Sequence, residues 1–96
     1  MPLLVLCAAQ ANGTSTAVKM DRSSYNYRAG SIYVSGTFDG ATVQLEATPD
    51  DGTTWFNVSG GSFTAKEAKE LSISATHLRV TVSGGGGSES INVWLG

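Results

Sequence analysis

Along most of the chain, apolar and polar residues alternate at every second position, and a period of two dictates sheet rather than helix. In 32–38, Ile32 and Val34 face one way while Tyr33 and Ser35 face the other. In 42–48, Val43, Leu45 and Ala47 oppose Thr42, Gln44, Glu46 and Thr48. In 53–59, Phe56 and Val58 share a side and Trp55 points the other way. Segments 70–74, 77–83 and 89–95 place Leu71 and Ile73, then Leu78, Val80 and Val82, then Ile91, Val93 and Leu95 inward, with Trp94 outward. Weaker strands are expected at 3–9 and 16–20.

Turn residues fall where these strands end. Asn12-Gly13 is a hairpin-type pair, and Ala29-Gly30 and Asp39-Gly40 supply turn glycines. Gly60-Gly61 and the run 84–87 mark loops, the second a mobile one closing a final hairpin. With 96 residues the chain makes one domain, 1–96, with room for one modest core. About eight short strands at this spacing predict an all-β fold, an antiparallel β-sandwich that is jelly-roll-like or immunoglobulin-like. The absence of a Cys–Trp–Cys pattern disfavours a true immunoglobulin domain. One segment departs from the pattern. Residues 64–70, TAKEAKE, have helix-forming composition and a Thr64/Glu67 capping-box spacing. Seven residues are too few for a stable helix, so a loop with at most one helical turn is expected.

The bulk chemistry narrows the function. Charged residues are 15% of the chain against roughly 25% in soluble proteins, and the net charge is −2 with the six cations scattered. Nucleic acid, which requires a Lys/Arg footprint, is therefore not expected as a partner. No apolar run approaches the ~18 residues of a membrane span. Cys7 is the sole cysteine, sits in LLVLCAA and reads as a buried apolar residue. The N-terminal MPLLVLCAAQANG mimics a cleavage site at Ala9-Gln10-Ala11 but lacks a positive n-region. It reads as a first strand, with 1–12 available as an arm that pairs with a neighbouring subunit.

The acidic stretch TPDDGTTW, residues 48–55, is the main candidate for chemistry. Pro49 extends Thr48, Asp50 and Asp51 suit the right-handed positions of a type I turn, and Gly52 suits the left-handed one. The expectation is a three-residue hairpin loop. Adjacent carboxylates at a turn tip do not face each other across a bond, as acid–base hydrolysis requires. Calcium needs six or more oxygens, more than the turn offers. His77 has no second imidazole or nearby thiol with which to hold zinc. No catalytic residue, metal or cofactor is expected. The octet resembles the Asp-box of sialidases, with Thr48, Asp50, Gly52, Thr54 and Trp55 at the matching positions. That resemblance implies a structural hairpin and no glycosidase activity.

The more telling feature is the set of large aromatics opposite the aliphatic stripes: Tyr33, Trp55 and Trp94. Such rings anchor protein interfaces or stack on sugars. From Gly36 onward, GTFDGATVQLEATPDDGTTWFNVSGGSFTA…LRVTVSGG…INVWLG is similar to small all-β virion proteins of tailed bacteriophages. The resemblance implies a non-enzymatic capsid decoration or cement protein located in the virion. It further implies a homo-oligomer, a trimer favoured, in contact with the major capsid protein. The candidate interface is Tyr33, Trp55 and Trp94 with Leu3, Leu4 and Val5 of the first strand. Two alternatives are a tail- or fibre-associated phage protein and a carbohydrate-binding module using Trp55, Tyr25 and Tyr27.

Overall fold

The computed structural model describes residues 4–19 and 27–96, with backbone alone for Leu4 and residues 27–30. The described strands are β1 (Leu4–Gln10), β2 (Gly13–Thr14), β3 (Val18–Lys19), β4 (Tyr27–Thr37), β5 (Thr42–Thr48), β6 (Phe56–Phe63), β7 (Glu67–Ser74), β8 (His77–Ser83) and β9 (Ser90–Leu95). They form two antiparallel sheets, in the orders β1-β9-β4-β7 and β2-β8-β5-β6, with β3 also on β8. The sheets pack face to face as a β-sandwich, as the alternation requires.

The pairing is nested. β1 meets β9, β2 and β3 meet β8, β4 meets β7, and β5 meets β6. That is one long hairpin rolled over so that β9 lies beside β4 and β8 beside β5. Of the two sandwich types that the sequence allows, the nested order is the jelly roll. Between the sheets lie Leu6, Ile32, Val34, Val43, Leu45, Phe63, Leu78, Val80, Val82, Ile91, Val93 and Leu95, each at most 3% exposed. The inward residues assigned to 32–38, 42–48, 77–83 and 89–95 are these, apart from the half-buried Ala47. β1 pairs with β9 of its own chain, and Leu6 and Cys7 enter the core at a register shift between Val5 and Cys7.

Several local expectations are corrected. Residues 67–70 are strand, not the expected loop with at most one helical turn, because pairing with β4 from Val34↔Glu67 to Tyr27↔Ser74 overrides local preference. Asn12-Gly13 does not turn a hairpin; the chain changes sheets there, from β1 to β2. β8 and β9 also lie in different sheets, so the glycine run bridges the sheets instead of closing a hairpin. Gly60-Gly61 lies inside β6, whose register jumps from Asn57↔Glu46 to Ser62↔Gln44. The Gln44 amide fills that bulge, donating to the carbonyls of Leu45, Val58 and Gly61 at 2.8, 3.4 and 3.3 Å. β6 begins at Phe56 instead of 53, and Phe56, expected beside Val58, is 57% exposed.

Candidate functional site

The outer face of the β1-β9-β4-β7 sheet gathers three of the outward residues singled out above. Cross-strand register sets Val5 opposite Trp94, Trp94 opposite Tyr33, and Tyr33 opposite Ala68. Paired residues in antiparallel strands project to the same face. The result is an apolar row, Val5–Trp94–Tyr33–Ala68, running across all four strands. Val5 is 49% and Tyr33 41% exposed, and Trp94 is half-buried between them. At the β7 end the row opens into a shallow groove of about 380 Å³, lined by Tyr33, Val34, Ser35, Lys66, Glu67, Ala68 and Trp94. Its surface is mostly apolar, and Lys66 and Glu67 are the charged residues among its lining. Such a surface binds by desolvation of flat aromatic area.

Ala68, Lys66 and Glu67 were not foreseen, because their segment has the composition of a helix. Ala68 joins the row, and Lys66 and Glu67 reach the groove at its end, only through the pairing of β7 with β4. Leu3 lies outside the described residues, as does the side chain of Leu4, whose backbone pairs with Leu95.

Trp55 belongs elsewhere. The Arg79 guanidinium lies 4.0 Å from the centre of its ring, and Arg79 Nε donates to Glu46 Oε1 at 2.6 Å. Glu46 and Arg79 are cross-strand partners on the outer face of the second sheet. The indole thus caps an ion pair of its own sheet, and one ring face is occupied. Tyr25 lies outside the described residues, and so does the Tyr27 side chain.

The octet 48–55 is a hairpin loop, larger than expected. The last β5–β6 pair is Ala47↔Phe56 and β5 ends at Thr48, so the loop runs over 49–55 and is not a three-residue turn. The left-handed position is taken by Asp51 (φ 59°) as well as Gly52 (φ 95°). Thr48 is fully buried and organises the loop. Its hydroxyl donates to Asp50 Oδ1 at 2.7 Å and accepts the Gly52 N–H at 3.0 Å. Asp50 Oδ1 also accepts the Thr54 N–H at 2.8 Å. The Trp55 indole lies against Gly52, within about 4 Å of where a side chain would begin. The positions matching the Asp-box are therefore one another's partners. These bonds, the Thr54 N–H first and the Thr48 hydroxyl next, hold the Asp50 carboxyl below its ordinary range.

A further partner, Thr76, was not foreseen. Its hydroxyl donates to the Thr48 carbonyl at 3.1 Å and accepts the Asp51 N–H at 2.9 Å. His77 Nδ1 is 3.2 Å from that hydroxyl and 4.0 Å from Asp51 Oδ1. With Asp50 spent on loop hydrogen bonds, the octet does structural work. No group of three or more His, Cys, Asp or Glu able to hold a metal ion occurs among the described residues.

Comparison with family models, curated proteins and solved structures gives no match for this chain.

Proposed function

We propose that the protein is a non-enzymatic virion structural protein of a tailed bacteriophage, a capsid decoration or cement protein that acts through contacts with copies of itself and with the major capsid protein. The observation that carries this reading is the Val5–Trp94–Tyr33–Ala68 row, an apolar stripe left uncovered on one face of a thin sandwich. The jelly-roll strand order, common in capsid and lectin domains, and the virion-like sequence from Gly36 onward support it. A small domain with low charge gains stability from such contacts. A place on the tail or a fibre would use the same surface.

The test is sedimentation with purified capsids of the parent virus. The wild-type chain is expected to co-sediment with them, and a Y33A/W94A variant, folded by circular dichroism, is not. Equal sedimentation of the two, or no capsid binding by the wild type, would remove the reading. The carbohydrate alternative rested on Trp55, Tyr25 and Tyr27, and Arg79 now covers one face of Trp55.

A further inference from the structure

The outer edge of β7 has no described strand beside it, since β7 ends its sheet. Exposed edges template pairing with another chain, and charges placed on them usually prevent it. Here the charges have an order that changes the outcome. Residues 66–70, the bend residue before β7 and the first four residues of the strand, read Lys66-Glu67-Ala68-Lys69-Glu70, and all five are exposed. Laid antiparallel against itself with Ala68 at the centre, this stretch puts Lys66 opposite Glu70 and Glu67 opposite Lys69. Each pair recurs on the other side of the axis. No charged residue faces one of its own sign.

The registers next to it are unfavourable. A slip of one residue sets Lys66 against Lys69 in one direction, or Glu67 against Glu70 in the other. It also turns the second sandwich to the opposite face of the sheet. A slip of two sets Glu67 against Glu67, or Lys69 against Lys69. Like charges directly opposite destabilise a strand pair, and opposite charges stabilise it. The edge is thus repulsive toward itself in the neighbouring registers and complementary in one.

We infer that β7 is a homodimerisation edge, pairing antiparallel with β7 of a second copy about a two-fold axis through Ala68. The pairing joins the two four-stranded sheets into one. Because Ala68 shares a face with Tyr33, the apolar rows of the two copies meet end to end at the axis. The groove between Tyr33 and Lys66 becomes the centre of a longer apolar stripe instead of its end. Lys69 already reaches the Gly60 carbonyl at 2.8 Å, and its ammonium retains further donors for Glu67 of the second copy. Closure about a two-fold makes a dimer the unit of assembly, where the sequence resemblance favoured a trimer. The inference deepens the virion reading by naming a self-contact, but it rests on the edge and not on capsid binding.

Two measurements test it. Cysteine replacement maps the axis: residues directly opposite have Cα atoms about 4.5–5.5 Å apart, within reach of a disulfide. A68C is expected to cross-link to a covalent dimer under mild oxidation. K66C and E70C, each displaced from its own copy by roughly 13 Å, are not. Cys7 is buried and does not compete. Sedimentation equilibrium then follows charge. K69E is expected to weaken the dimer about tenfold or more, and E67K/K69E, which restores complementarity with the signs exchanged, to recover it. Circular dichroism checks that each variant is folded. A wild-type chain that stays monomeric to about 1 mM overturns the inference. So does equal cross-linking at the three positions, or a folded E67K/K69E that fails to recover the dimer. Capsid binding by a monomer would overturn the pairing and leave the capsid reading standing.

Discussion

Thr48 shows how much one buried hydroxyl can hold. It is 0% exposed, donates to Asp50 and accepts from Gly52. Thr48→Val keeps the shape but removes the bonds to both Asp50 and Gly52, so urea unfolding should register a loss of about 1–3 kcal/mol. Thr48→Ser, which keeps the oxygen, should lose markedly less. The bend in TPDDGTTW was legible because Pro, Asp and Gly each act on their own backbone. Thr76 was not, because its bond to Thr48 spans 28 positions and nothing local marks it. Trp55 was legible as an outward ring but not as a lid, since Arg79 arrives from β8. Cys7 was legible in full. Burial pushes its thiol up to about 11, against a smaller lowering by the Val93 backbone. Its Sγ lies 3.6 Å from the Ile91 carbonyl. At pH 8 a disulfide reagent should therefore label the native chain roughly a hundredfold more slowly than the unfolded one. Equal rates would mean that β1 leaves β9 freely.

At the scale of elements, alternation revealed which way each strand faces but not where irregular backbone is pinned. The glycine run 84–87, expected to be mobile, is fastened on several sides. Asn12 exchanges hydrogen bonds with Gly85 through both ends of its amide, each at 3.0 Å. Gly86 N–H reaches the Asp39 carbonyl, and Ser88 N–H the Asp39 carboxylate. Glu89 accepts from Asn12 and Gly87 at 3.0 and 2.7 Å. Apart from Glu89, the partners stand on two other connections, β1–β2 and β4–β5, so nothing local marks the run as fastened. A side chain at Gly85 would begin 2.4 Å from the Glu89 carboxylate, so the tether itself requires glycine there. Glu89→Ala should release this end of the sandwich while leaving the core strands intact. Amide exchange is expected to rise at Asn12 and Gly87 and to stay unchanged at Leu45 and Val80. A uniform rise would show that Glu89 supports the whole fold instead. β7 carries the opposite lesson: the helix-forming composition of 64–70 misleads, because eight backbone pairings with β4 outweigh it.

For the whole molecule, a period of two predicts sheets but not which strand meets which. The nested order depends on contacts as distant as Leu4 with Leu95. The two ends of the rolled hairpin also share an electrostatic trait. Asp50, in the β5–β6 loop, and Glu89, beside the β8–β9 crossing, both have carboxyls held below their ordinary range by hydrogen bonds to the charged form. For Asp50 the chief donor is the Thr54 N–H, and for Glu89 the Asn12 N–H. A folded-state value below the unfolded one means that the unfolded chain takes up protons first as pH falls. Their contribution to stability is therefore complete above the ordinary carboxylate values of about 4 and is lost as pH drops through the lowered folded ones. Between pH 7 and 5 the urea midpoint should hardly respond to these two groups. From about pH 4 downward it should fall steeply. In a D50N/E89Q variant the acid limb should flatten while the pH 7 midpoint drops, because the charge-assisted bonds are gone at every pH. If the variant kept the wild-type acid limb, the carboxylates that govern acid unfolding would lie elsewhere, and the two tethers would be geometric only.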